Sequence, residues 1–139
     1  MGAMVIYAIS DAMDRCQIRY VGIAKDAERR LANHVANKEQ SYRFAVWLKS
    51  VVDAGGYLAG YRIEIVPSEV ARVAEVYWIK TLLSGGYPLL NDQHTSWKAV
   101  RAPLPDYEPS ARFAPELVDP DFAWPFSWAG VHSLIRGKR

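Results

Sequence analysis

Six of the eight prolines in this 139-residue chain lie beyond residue 93, at Pro103, Pro105, Pro109, Pro115, Pro120 and Pro125. Proline fixes φ and removes a backbone donor, so this density forbids long helices and central strands there. A regular fold must therefore be built from residues 1–93, and residues 94–139 form an extension. That extension still carries Trp97, Phe113, Phe122, Trp124, Phe126 and Trp128. A disordered tail seldom keeps so many aromatic residues. It is expected to run extended over an apolar face of its own domain. The run Trp124-Pro125-Phe126-Ser127-Trp128 raises a second reading, a segment that docks a protein partner or a second copy.

Hydrophobic periodicity orders the first part. VIYAI (5–9) and QIRYVG (17–22) are short runs rich in β-formers, joined by the polar stretch SDAMDRC, and read as a hairpin. Asp26 suits the N-cap of a helix through AERRLANHVAN, with Leu31 and Val35 inward and Arg30 and His34 together on another face. A second helix covers SYRFAVWLKSVVDAG with Phe44, Trp47, Leu48 and Val51 as its buried stripe, and Gly55 and Gly56 stop it. YRIEIVP (61–67) alternates as a strand. Pro67 and Ser68 open a third helix, SEVARVAEVYWIKTLLS, whose inward set reads as Val73, Val76, Ile79, Leu82 and Leu83, with Arg72 toward solvent. Gly85 and Gly86 end it. The order β-β-α-α-β-α predicts an α+β domain: a small three-stranded mixed or antiparallel sheet flanked by helices. There are no internal repeats.

Composition narrows the function. The formal charge of +2 excludes a strong general attraction to nucleic acid, so any basic face must come from local clustering. One cysteine, Cys16, excludes a disulfide framework and a cysteine metal site. No apolar run reaches membrane-span length, and MGAM at the start has no signal-peptide core. The expectation is a cytoplasmic protein without membrane association.

One constellation stands out: Ile6-Tyr7, then Tyr20-Val21-Gly22, Arg30, His34, Glu75 and Asn91. With the run YVGIAKDAERRLANH, the later EVYWI helix and the LLN that follows, it resembles the GIY-YIG nuclease superfamily over residues 4–92. No single element is specific, and the combination is. The resemblance implies a small mixed sheet flanked by helices and a divalent-metal nuclease that cuts phosphodiesters. Residue by residue, Tyr7 matches the first-strand tyrosine, and Tyr20 and Gly22 match the second-strand pair. Arg30 matches the arginine of the following helix, and His34 a position often held by histidine or tyrosine. Glu75 matches the metal-binding glutamate, and Asn91 the asparagine that closes the motif. Two departures are Val5 where the family name has glycine, and Ile23 where many members place lysine or a small polar residue. Lys25 lies nearby but need not replace that lysine.

The resemblance implies Mg2+ or Mn2+ held by the hard oxygens of Glu75. Tyr7 would be the general base, its pKa lowered by the Arg30 cation and the metal, with Tyr20 ordering the water; the two roles could be exchanged. Arg30 would grip the scissile phosphate, His34 would share a proton or phosphate hydrogen bond, and Asn91 would orient Glu75 or brace the loop near it. Lys25, Arg29, Arg43 and Lys49 are the basic residues available to a DNA backbone. Singly, most of these residues have an ordinary explanation: strand tyrosines pack, paired arginines face water, and a lone helical histidine is exposed. Glu75 is the hardest to dismiss, since a carboxylate beside Val76 and Trp78 needs a partner if buried. The expected activity is a metal-dependent DNA endonuclease of the kind found as a free-standing phage or mobile-element, repair or restriction enzyme. The alternative is a non-catalytic nucleic-acid-binding or assembly module on the same fold.

Overall fold

The architecture comes from a computed structural model that describes residues 2–27, 29–30, 42–91 and 103–125. Strand β1 (Ala3–Asp11) pairs antiparallel with β2 (Ile18–Ala24) on one side and with β3 (Tyr57–Pro67) on the other. This α+β core, the antiparallel trio β2-β1-β3, is the sheet the sequence predicts. A short fourth strand, β4 (Phe122–Pro125), comes from the proline-rich extension and pairs with β3, giving the order β2-β1-β3-β4. Its place at the edge lets Pro125 end the strand without breaking a central ladder.

β1 is central and covered on both faces, which is why VIYAI is continuously apolar and not alternating. Helix α1 (Tyr42–Asp53) covers one face, burying Phe44, Trp47, Leu48, Val51 and Val52 against Val5, Tyr7 and Ile9. The helix ends as read: Gly55 takes φ +77°, and its N–H and that of Gly56 bond back to the Val52 and Val51 carbonyls. Val5, the departure from glycine, is thus a core residue of this face. Helix α2 (Ala71–Ser84) covers the other face, where Ile6, Ala8, Ile18 and Val21 lie.

The phase of α2 corrects the sequence reading. Its inward residues are Ala71, Ala74, Trp78, Ile79 and Leu82, while Val73 is 40% exposed. Polar residues are scattered round this helix, at Arg72, Glu75, Lys80 and Thr81, and two partners pack on it, the sheet and the extension, so periodicity alone has no unique phase. Tyr107 packs on Tyr77 with ring centres 5.5 Å apart, and Phe113 reaches Trp78 and Tyr61.

A bulge sets the chemistry of β3. Ile6 faces Glu64 but Tyr7 faces Arg62, so Ile63 is an extra residue and the alternation slips by one. Ile65 is turned out to 62% exposure and Glu64 is turned in. There Glu64 accepts hydrogen bonds from Trp78 Nε1 at 2.8 Å, the Tyr107 hydroxyl at 2.6 Å, and Ser110 N and Oγ at 2.9 and 2.8 Å. Burial works against its charge, yet the bonds from Tyr107, Trp78 and Ser110 outweigh it and hold the carboxyl below its ordinary range. Stability from this knot is therefore complete above the unfolded carboxyl pKa, and it drains away as pH falls through the lower folded value. Glu64→Leu should cost about 3 kcal/mol, because three donor side chains and one backbone amide lose their acceptor. Limited proteolysis should then cut within residues 103–121. An unchanged melting temperature and cleavage pattern would rule out the knot as the anchor of the extension.

Candidate active site

Tyr7 sits in mid-β1 directly opposite Gly22 of β2. Its ring lies across that glycine: a Cβ built there would stand 2.5 Å from the Tyr7 hydroxyl oxygen, 2.7 Å from Cζ and 3.1 Å from Tyr20 Cε2. The glycine is required because the hydroxyl occupies the space of a side chain. Tyr20, two residues earlier in β2, projects from the same face, its ring centre 6.3 Å from that of Tyr7. Both strands are irregular beside this pair, with register shifts at Ile6/Tyr7 and Ile9/Ser10.

Asp26 caps a helical turn at Ala27, Arg29 and Arg30, its Oδ1 accepting from Arg29 N at 3.1 Å. That turn directs the Arg30 guanidinium to donate to the Tyr7 hydroxyl. Arg30 favours the phenolate, as the sequence reading held, but it does not prevail. Burial first, then the neighbouring Tyr20, push the Tyr7 pKa well above its ordinary value. The folded chain by itself thus disfavours the phenolate, with Arg30 acting in the direction expected.

Glu75 reaches the same place from α2, since its charge also raises the Tyr7 hydroxyl. Its side chain is 14% exposed, and its ion-pair partner, Arg72 at 4.0 Å, is 74% exposed. Burial raises the Glu75 carboxyl above the usual range, and the solvated Arg72 only partly opposes this. A half-buried carboxylate short of positive charge suits a divalent cation. Among the described residues no three His, Cys, Asp or Glu side chains gather as a metal cluster, so such a cation would complete its shell with water and substrate oxygens.

Asn91 is buried, and its amide is spent on β2. Its Oδ1 accepts from Val21 N at 3.1 Å and its Nδ2 donates to Val21 O at 2.7 Å, while Leu90 N donates to Arg19 O. This segment satisfies the open edge of β2 and fixes the residue between Tyr20 and Gly22. Asn91 therefore braces the tyrosine strand, and no bond from it to Glu75 occurs among the described residues. The structure brings Tyr7, Tyr20 and Gly22 together, with Arg30 on the Tyr7 hydroxyl and the charge of Glu75 felt there. His34 lies outside the described residues. Lys25, Arg29, Arg43 and Lys49 are exposed, and Lys49 is paired with Asp53 at 2.7 Å. Ile23 packs against the α2 face of the core. Sequence reasoning missed Arg19 and Glu64. The alternation of QIRYVG could have flagged Arg19 as a surface charge beside Tyr20, whereas nothing in YRIEIVP signals the bulge that turns Glu64 inward.

Paired strand tyrosines, an arginine on one hydroxyl and a partly buried carboxylate on α2 are the groups that the described residues contribute to the candidate site. The model of the GIY-YIG catalytic domain matches residues 3–87, more than half of the chain. The protein belongs to the GIY-YIG family of nucleases. No curated protein and no solved structure matches it. Among the described residues no helix is long and apolar enough to cross a membrane.

Proposed function

We propose that this protein is an endonuclease that hydrolyses DNA phosphodiester bonds with one divalent cation, Mg2+ or Mn2+, held by Glu75. What supports this reading is Arg30 on the Tyr7 hydroxyl, with the charge of Glu75 felt there and Gly22 keeping space for that hydroxyl. When bound, the cation supplies charge for the leaving 3′ oxygen. Arg30 presents its planar fork to the scissile phosphate while touching the Tyr7 oxygen. Tyr7, in its phenolate form, takes a proton from the attacking water and becomes the phenol, and Tyr20, more open to solvent, orders that water. His34 adds a hydrogen bond to the phosphate. Residues 1–93 form the nuclease domain in this scheme, and the extension is its brace through Glu64, Tyr107 and Phe113.

A cleavage assay on plasmid, linear, flap and junction DNA with Mg2+ or Mn2+ tests this. Protein inert on all four sinks the proposal. The base assignment has its own signature. With the Tyr7 pKa raised, its phenolate fraction grows tenfold per pH unit across the neutral and alkaline range, so log kcat should climb with a slope of about 1 without a plateau near pH 8. Tyr7→Phe should flatten the profile and cut the rate. A flat wild-type profile would remove Tyr7 from that role. The second reading, a non-catalytic binding module, is favoured by Ile23, which packs in the core where a polar group would help chemistry. It requires DNA binding that Glu75→Ala leaves intact, with no cleavage under either metal.

A further inference from the structure

A second concentration of positive charge lies beside the site. Arg19 precedes Tyr20 on β2, and its guanidinium rests over the Trp47 ring, 5.4 Å from the centre. Its Nε donates to the Pro88 carbonyl at 2.8 Å. Those two contacts fix the plane of the fork, and its Nη groups make no hydrogen bond among the described residues. Arg43, in the first turn of α1, closes from the opposite wall with Nη2 donating to Leu89 O at 3.3 Å. The groove between them measures about 560 Å3, and Val46, Ser50 and Leu90 complete its lining. Val46 is 50% exposed, and the Ser50 hydroxyl is turned back onto the Trp47 carbonyl at 2.7 Å. The groove thus offers two guanidinium groups and hydrocarbon.

The two cations feel each other. Burial, and then the charge of Arg43, lower the Arg19 pKa, with Asp14 opposing. Two guanidinium groups on one groove suit an anion with several acceptor oxygens. Arg19 covers the face of Trp47, so a stacked base is not the ligand there. The groove also connects to the tyrosines: Tyr20, Phe44 and Trp47 form a chain of rings with centres 5.5 Å apart at each step.

We propose that the Arg19–Arg43 groove binds a backbone phosphate of the DNA strand outside the scissile position, with Val46 against the adjoining sugar. This rests on the nuclease reading above and adds a strand-positioning subsite to it. Arg19 and Arg43 are positioning residues; neither touches the reacting atoms.

The test is fluorescence anisotropy of a fluorescein-labelled DNA duplex in EDTA, titrated with wild-type protein, Arg43→Gln and Arg19→Lys across a salt series, with cleavage kinetics in Mg2+ alongside. Removing one phosphate contact should reduce the slope of log Kobs against log salt by about 0.9 for Arg43→Gln. Kd and KM should rise together, more than kcat falls. Arg19→Lys keeps the charge, so its slope should hold while its Kd rises from loss of the planar fork. Arg43 is exposed, so its variant reports on binding even if Arg19→Lys disturbs Trp47 packing. Wild-type binding and cleavage with unchanged slope and Kd in Arg43→Gln would overturn the subsite alone. Wild-type protein that neither binds the duplex nor cuts plasmid, linear, flap or junction DNA would overturn the nuclease reading and the subsite with it.

Discussion

Glu75→Gln should abolish DNA cleavage, by about 10³-fold or more in kcat, while leaving the melting temperature equal to or above that of the wild type. The two halves have one cause. Glu75 is a partly buried carboxylate whose nearest cation, Arg72, is 4.0 Å away and largely in solvent. Its pKa is raised by burial, so ionisation is less favourable in the folded chain than in the unfolded one. The sign follows: the raised value favours folding below the unfolded carboxyl pKa, and that advantage is lost as pH rises through the folded value. At neutral pH the charged form is a burden, and a neutral amide of the same shape removes it. Thermal melts at pH 7 with a plasmid nicking assay in Mg2+ check both halves. Loss of stability with retained cleavage would make Glu75 a structural residue.

Gly22→Ala should damage both fold and rate. The added methyl would lie 2.5 Å from the Tyr7 hydroxyl oxygen and 2.7 Å from Cζ, so one group must move. Tyr7 has little room, being 1% exposed, packed in the α1 face of the core and hydrogen-bonded by Arg30. Overpacking of this kind costs about 1–3 kcal/mol, and the melting temperature should fall by about 2–6 °C. Displacing the Tyr7 oxygen also breaks its alignment with Arg30, and kcat should drop at least as far as in Tyr7→Phe. The pair should be coupled. In a Tyr7→Phe background the tightest contact is gone, so the stability penalty of Gly22→Ala should shrink. Equal penalties in the two backgrounds would show that the methyl is accommodated without touching Tyr7.

Much of the candidate site was legible in sequence because its parts sit on elements whose periodicity is local. Tyr7 and Tyr20 lie on a hairpin marked by two β-rich runs, and Asp26 announced the turn that carries Arg30. Phe44, Trp47, Leu48 and Val51 form the inward stripe of α1 as read, since that helix has one covered face and one wet one. The Asn91 side chain was expected near the site, but its bidentate grip on Val21 depends on β2 being an edge strand, which the order of elements does not state. Glu64 was invisible for a related reason: one extra residue in β3 reverses the alternation, and an acidic side chain in a strand otherwise reads as solvated.

By itself the sequence determined the three-stranded antiparallel sheet, the helix that precedes β3, the helix that follows it and the glycines that end both; most of the helix read after Asp26 lies outside the described residues. Those follow from short-range rules: side-chain period, backbone freedom and proline's missing donor. The tertiary structure decided which way α2 turns, that the extension closes over it and adds β4, that Glu64 ties the two together, and that burial opposes the Tyr7 phenolate. Each depends on neighbours distant in sequence. Desolvation and Coulomb interactions act through space, and the phase of a helix whose polar residues are scattered round it is set only when both covering surfaces are in place.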